Sequence, residues 1–282
     1  MCELFAMSTR HPATVTLSFA ELARHGGLVG PHRDGWGLAY YEGRDAHLFR
    51  EAAPAATSAS LRFLQEHPFT ATTVVGHIRR ATQGPRALAN SQPFVRELGG
   101  HAHVFAHNGD LTGLADVAPS ATYQPIGDTD SERAFCALLE RLRPLWQVAG
   151  GVPALDARLA AVAAFAASVR PLGPANFVYA DGDAIFVHAH RRNQGDARGV
   201  APPGLHLLCR RCAAEPGTIA GLDLGAAPQD VVLVASVPLS GERWLPLAEG
   251  EVVVLADGAR VASASADGVG RGVDPPRERI SR

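Results

Sequence analysis

Two helical segments lie next to each other in the middle of the chain, with short β-prone runs on both sides, and this order limits the folds open to it. From Asp130 to Arg143, the residues Ala134, Phe135, Leu138, Leu139 and Leu142 recur at helical spacing and share one face. The preceding Asp128-Thr129-Asp130-Ser131 run offers several N-caps. Ala154 to Val169 is alanine-rich and reads as a second, buried helix. Thr72 to Ile78 and His103 to His107 read as strands before the helices. After them, Asn176 to Ala180 and Ala184 to His190 flank the hairpin signal Asp181-Gly182-Asp183. Further strands are predicted at Leu205 to Cys209, Val231 to Ser236 and Glu251 to Leu255, the last turning at Asp257-Gly258. Strands, two helices and strands again predict an α+β fold with packed antiparallel sheets rather than a βαβ alternation.

With 282 residues, 46% of them hydrophobic, the chain can bury a sizeable core, and no linker divides it. Residues 1–262 read as one domain. From Ser263 the sequence is small, polar and charged, with Pro275-Pro276, and residues 263–282 are expected to be a disordered tail.

Composition removes several function classes. The net charge of -2 supplies no overall field toward nucleic acid or an anionic membrane surface, and neither is an expected partner. All 26 lysine-or-arginine positions are arginine, which excludes a Walker-type phosphate loop and a lysine Schiff base. No long apolar run or secretory signal is visible, so a cytoplasmic, reducing location is expected, where cysteines serve as core, ligand or catalyst. Cys209 and Cys212 form a single pair, short of the four ligands of a structural zinc site, and no metal or cofactor is expected. His188 and His190 alternate along a strand and share a face, in a core or surface role; Trp146 and Trp244 read as core.

Cys2 stands out by position. Initiator methionine is normally removed before a residue as small as cysteine, which leaves Cys2 with a free α-amine. A model α-amine has a pKa of ~7.7–8.0 and a thiol ~8.5, so the amine can act as base for the thiol near neutrality. Taken alone, an N-terminal cysteine is more often an inconsequential buried residue. Other segments change that balance. His107-Asn108-Gly109-Asp110 follows a strand, and an Asn amide beside a glycine N–H can form a two-donor oxyanion hole, although Asn-Gly is by itself an ordinary turn. Arg79, at the end of another strand, suits a substrate carboxylate bidentately, where the plain reading is a surface arginine pair with Arg80. Asp130 can meet an α-ammonium while Asp128 or Ser131 caps the helix.

In this order, Cys2-Glu3-Leu4, Asp34-Gly35-Trp36-Gly37, the Arg79 segment, His107-Asn108-Gly109 and Thr129-Asp130-Ser131-Glu132 resemble the class II glutamine amidotransferases of the N-terminal-nucleophile hydrolase superfamily. The likeness is nearest to the stand-alone bacterial group, which is similar also in Gly30-Pro31-His32, Pro238-Leu239 and Trp244, and it spans residues 2–258. The resemblance implies a four-layer αββα sandwich and a glutaminase in which Cys2 attacks the glutamine δ-carbonyl to form a glutamyl thioester. By the same resemblance, Asn108 and Gly109 hold the oxyanion, Arg79 the α-carboxylate and Asp130 the α-ammonium. Gly35 and Trp36 are placed near the substrate. Multidomain synthases of this class commonly carry tryptophan at the position of Arg80 and histidine at that of Gln83, on a loop that closes over glutamine; this chain has neither.

The leading expectation is therefore a cysteine amidohydrolase acting on glutamine or a small γ-glutamyl compound, with an ammonia-accepting partner protein as one possible route for the nitrogen. A γ-glutamyl amide hydrolase of thiol metabolism, of the ergothioneine or glutathione type, uses the same residues. A non-catalytic ligand-binding subunit of the same fold is disfavoured, because Cys2, Asn108 and Asp130 are all retained. A zinc-binding protein is a distant third.

Overall fold

The computed structural model describes residues 2–15, 24–27, 30–114, 121–212, 218–219, 222–223, 229–265 and 268–271. The chain opens with the long strand β1 (Glu3–Val15), followed by β2 (Trp36–Glu42), β3 (Asp45–Glu51), helix α1 (Ala59–Glu66) and β4 (Thr70–Ile78). Next come β5 (Phe94–Leu98), β6 (His101–Gly109), helices α2 (Asp130–Ala149) and α3 (Leu155–Val169), β7 (Ala175–Ala180) and β8 (Ile185–His188). The short β9 (Arg192–Asn193) and β10 (Val200–Ala201) pair with each other. They lead to β11 (His206–Cys212), β12 (Thr218–Ile219), β13 (Leu222–Asp223), β14 (Gln229–Ala235) and β15 (Leu245–Pro246). The chain finishes with β16 (Val252–Ala256), β17 (Ala259–Ser265) and β18 (Gly268–Arg271).

Among the described residues the strands form two antiparallel sheets. One follows the order β15-β11-β14-β1-β4-β2-β3, with β13 and β12 attached beside β1, and the other runs β18-β17-β16-β8-β7-β6-β5. Each sheet is buried on both faces, and the period-2 alternation of a strand assigns residues to layers. Along β1, Leu4 and Ala6 face the opposing sheet, where they meet Val104, Ala106, Val178 and Val253. Phe5 and Met7 face outward, toward Leu38, Leu61 and Leu64, the last two from α1. On the far side Phe105 and Phe177 pack against Phe135 and Leu138 of α2 and Phe165 of α3. The layers are thus α1, sheet, sheet and the α2–α3 pair, the αββα sandwich expected from the sequence. Trp146 and Trp244 are both buried in these cores.

Helix α2 does not stop at Arg143 but continues through Pro144 to Ala149. A proline inside a helix removes one intrahelical hydrogen bond. The extra turn brings Trp146 against His101 and His103, with ring centroids 4.9 and 4.7 Å away, so tertiary packing extends the helix past its local stop signal. Of the N-cap candidates in the Asp128-Thr129-Asp130-Ser131 run, Thr129 is the cap, rather than Asp128 or Ser131, its hydroxyl accepting the Glu132 N–H at 3.3 Å. At the other end of the chain, β17 runs past residue 262 to Ser265 and pairs with β18. Residues 272–282 of the expected tail lie outside the described residues.

Candidate active site

The register of the first sheet decides what surrounds Cys2. Glu3 pairs with Ile78 across β1 and β4, and Trp36 pairs with Ile78 from the other side, so the residues just beyond these pairs, Cys2, Arg79 and Gly35, emerge at one end of the sheet. The Cys2 sulfur accepts the Arg80 N–H at 3.3 Å, and its S–H reaches the Arg80 carbonyl at 3.4 Å. Burial pushes the thiol pKa up, with the Arg80 backbone and the Arg79 charge acting against it and the Asp130 charge reinforcing it. The nucleophile therefore rests as a thiol and needs a base to become reactive.

Arg79 is buried, and its guanidinium holds the loop that follows it. Nη2 donates to the carbonyls of Gln83 and Gly84 at 2.9 and 3.1 Å, and Nη1 to that of Pro85 at 3.1 Å. This leaves donors on Nη1 and Nε for a ligand. The Arg79 backbone is fixed by Asp34-Gly35: its N–H donates to the Gly35 carbonyl at 2.8 Å and its carbonyl accepts the Asp34 N–H at 3.2 Å. The Asp34 carboxylate takes the Ala81 N–H at 2.9 Å. Gly35 has φ +147°, and a Cβ there would lie 2.8 Å from Ser91 Oγ and 2.9 Å from the Glu51 carbonyl, so only glycine lets the backbone pass this close. Trp36 is placed differently. Its ring packs with Phe5, Met7 and Leu61 in the layer beneath α1, and its indole N–H donates to Glu51 Oε2 at 3.1 Å.

The second sheet contributes the end of β6. Asn108 is fully buried; its amide nitrogen lies 3.4 Å from Ser236 Oγ, and its backbone carbonyl accepts from Asn176 Nδ2 at 3.1 Å. At Gly109 a Cβ would stand 1.7 Å from the Pro174 carbonyl oxygen, so the strand can turn here only with glycine. Beside them the Gln92 side chain brackets the His107 backbone, accepting its N–H at 2.6 Å and donating to its carbonyl at 3.2 Å. Asp130 is the first residue of α2, and its Oδ2 accepts the Leu111 N–H at 2.7 Å. Its charge acts on both Cys2 and His107, which places the three in one electrostatic neighbourhood.

Several residues that shape this site have partners that the sequence did not show. The Gln83 side-chain amide donates to the Asp110 carboxylate, which joins the loop after β4 to the end of β6. Asn90 accepts the Asp128 N–H at 2.8 Å and donates to the Pro85 carbonyl at 3.0 Å, tying the same loop to the approach of α2. His77 is pushed down to about 3 by burial, with Arg79 and His107 adding to the effect, and stays neutral. Each of these is a polar residue in a glycine-containing or strand segment, and only the tertiary structure shows its partner. Cys209 sits exposed on β11, and the Cys212 side chain lies outside the described residues. His188 is buried on β8 beside His190, with ring centroids 6.2 Å apart.

A model of the family described as "Glutamine amidotransferases class-II" matches residues 1–277. The chain belongs to this family. It is 35% identical to the Escherichia coli (strain K12) protein named "Putative glutamine amidotransferase YafJ", covering 93% of this chain and 100% of that one. A Haemophilus influenzae "Putative glutamine amidotransferase" is 30% identical over 93% of this chain and 86% of its own length. Among solved structures, the "predicted glutamine amidotransferase from Pseudomonas aeruginosa PA01" superimposes with a TM-score of 0.68 at 33% identity, over 93% of this chain and 100% of that one. As a class II glutamine amidotransferase the chain is a hydrolase whose nucleophile is its N-terminal cysteine, Cys2. No helix among the described residues is long and apolar enough to cross a membrane.

Proposed function

We propose that the enzyme hydrolyses the side-chain amide of glutamine or of a small γ-glutamyl compound through a thioester on Cys2. The observation that carries this reading is the convergence of Cys2, Arg79 and Asp130. The sulfur is held by the residue after Arg79, and it feels the charges of both ion-pairing candidates. Arg79 binds the substrate α-carboxylate through its remaining N–H donors, and Asp130, with lone pairs left after its bond to Leu111, binds the α-ammonium.

Sulfur attacks the δ-carbonyl carbon while the α-amine of Cys2, exposed by loss of Met1, takes the thiol proton. Negative charge then grows on the carbonyl oxygen, where the Asn108 amide and the Gly109 N–H receive it. Collapse breaks the C–N bond, and the leaving nitrogen carries off the proton held by the α-amine. Water, deprotonated by the same amine, attacks the thioester and releases glutamate. Gly35 supports this site through the Arg79 backbone, and Trp36 supports it through the strand it begins.

Simple hydrolysis is favoured over delivery of ammonia to a partner protein by the loop that follows Arg79. Gln83 stands where the coupled synthases commonly carry histidine, and it is bonded to Asp110, while Arg79 and Asn90 hold the loop's carbonyls. The deciding assay follows ammonia or amine release from glutamine and from a panel of γ-glutamyl amides that includes γ-glutamyl thiols. Turnover of a γ-glutamyl thiol well above glutamine assigns the enzyme to thiol metabolism. No turnover of any member, and no glutamyl adduct on Cys2, overturns the proposal.

A further inference from the structure

Ser236 follows the last residue of β14 and is fully buried between the two sheets. Its backbone N–H donates to the Leu4 carbonyl at 3.1 Å, and its Oγ accepts the Leu4 N–H at 3.0 Å. Both bonds clamp β1 two residues after the nucleophile. The same Oγ is 3.4 Å from the Asn108 side-chain nitrogen, on the opposing sheet. In that orientation the Asn108 carbonyl oxygen is buried with no partner among the described residues. The serine oxygen acts only as an acceptor, toward Leu4 and Asn108, so its proton has no acceptor among the described residues.

Turning the Asn108 amide by half a turn leaves its shape unchanged, pairs the serine proton with the amide oxygen and leaves the NH2 as the open group. The Ser236 hydroxyl then accepts from Leu4 and donates to Asn108 Oδ1, which uses its donor and an acceptor lone pair. A buried amide oxygen thereby gains a donor. The Asn108 NH2 then occupies the place on the side away from Ser236 where its unpartnered oxygen stood, and its hydrogens are the ones offered to an oxygen that develops charge.

We infer that Ser236 is a positioning residue that orients the Asn108 amide with its N–H toward the reacting carbonyl and ties it to the strand carrying Cys2. The inference rests on the thioester reading above. Ser236 touches neither substrate nor sulfur; it acts through Asn108.

The test uses glutamate γ-semialdehyde, whose aldehyde adds reversibly to a cysteine thiol and leaves an alkoxide-like oxygen in the place of the oxyanion, with glutamate as a ground-state control. Ser236→Ala is expected to lower kcat roughly 10–100-fold and to weaken the aldehyde by a similar factor, with glutamate affinity within about twofold of wild type. Ser236→Thr, which keeps the hydroxyl, restores both. In an Asn108→Ala background, Ser236→Ala causes no further loss, because the group it orients is gone. Thermal melting checks that each variant is folded. The role of Ser236 is overturned by a folded Ser236→Ala with normal kcat and aldehyde affinity. It is equally overturned if Ser236→Ala loses as much in the Asn108→Ala background as in wild type. If Ser236→Ala does not fold, the comparison of Ser236→Thr with Ser236→Cys, a weaker donor, decides: equal aldehyde affinity in the two overturns it. Failure of the thioester reading looks different, since wild type itself would then bind the aldehyde no better than glutamate.

Discussion

The Cys2 sulfur lies 3.3 Å from the Arg80 nitrogen and 3.4 Å from the Arg80 carbonyl oxygen, so the backbone of one residue both donates to it and accepts from it. Burial meanwhile holds the thiol pKa above its usual value. On the proposed mechanism the thiolate is then produced at the moment of attack, which requires a neutral α-amine to take the proton. We predict that kcat/KM rises with pH through the pKa of the α-amine, ~7.7–8.0 in model compounds, and is lost below it. Active protein should lack Met1 by intact mass. Full activity from a homogeneous Met1-bearing sample would remove the amine from the mechanism.

Arg79→Ala should raise KM by about 10–100-fold, the effect of losing one charge-assisted contact, and leave kcat at saturation much less changed. The same change frees the carbonyls of Gln83, Gly84 and Pro85. Steady-state kinetics with glutamine check the first effect. A drop in kcat at unchanged KM would contradict the carboxylate role.

Asn108 supplies the sharpest contrast. Asn108→Ala removes the donor and should cost roughly 10²–10³ in kcat, or about 2.7–4 kcal/mol, with glutamate still bound. Asn108→Asp keeps the shape but faces the oxyanion with a like charge, so its loss should be larger. If Asn108 merely made a turn, aspartate would be the milder change. Near-normal kcat in folded Asn108→Asp would exclude it from catalysis.

Gly109→Ala probes the neighbouring donor. Its Cβ would meet the Pro174 carbonyl at 1.7 Å and His107 Nε2 at 2.6 Å. Strand β6 or the Pro174 segment must shift, at about 1–3 kcal/mol, and the shift displaces the Gly109 N–H from the site. Lower melting temperature and lost turnover should appear together. A stable variant with normal kcat would show that this N–H is dispensable.

Acid should weaken the fold for a reason seated beside the site. Burial pushes His77 and His188 each down to about 3, from 6.5 in an unperturbed ring. Between those values the unfolded chain binds protons that the folded one refuses. Stability is therefore complete above the unfolded value and falls as pH drops toward 3, by at most about 1.4 kcal/mol per pH unit for each ring. Urea midpoints should decline steadily from about pH 7 to about pH 5. A flat profile would show that the rings take up protons in place.

The parts legible from the sequence were those whose chemistry is local. Helix periodicity marked the α2 face, and the glycine after Asn108 marked the end of β6. Strand β1 was hidden, because Ser8, Thr9, Arg10, His11 and Pro12 interrupt its apolar alternation. In the fold Ser8 and Thr9 are buried, and the register with β4 shifts between Ser8 and Ala13. Helix α1 has only eight residues and a weak local signal. Gln92, Asn90 and Ser236 look like turn or strand-edge residues in one dimension. Their meaning lies in partners 15, 38 and 232 positions away.

The central position of β1 has a practical reach. The strand is hydrogen-bonded on both sides, to β4 and β14, from Glu3 and Phe5 onward, so its pairing begins after Cys2. A chain extended ahead of the nucleophile can therefore build the same sheets and still lack the amine that the proposed mechanism requires. An affinity tag at the amino terminus that leaves even a single residue behind would yield a folded, inert preparation, whereas a tag at the other end leaves the nucleophile untouched. On the proposed mechanism, maturation of this enzyme is an act of aminopeptidase trimming rather than of folding.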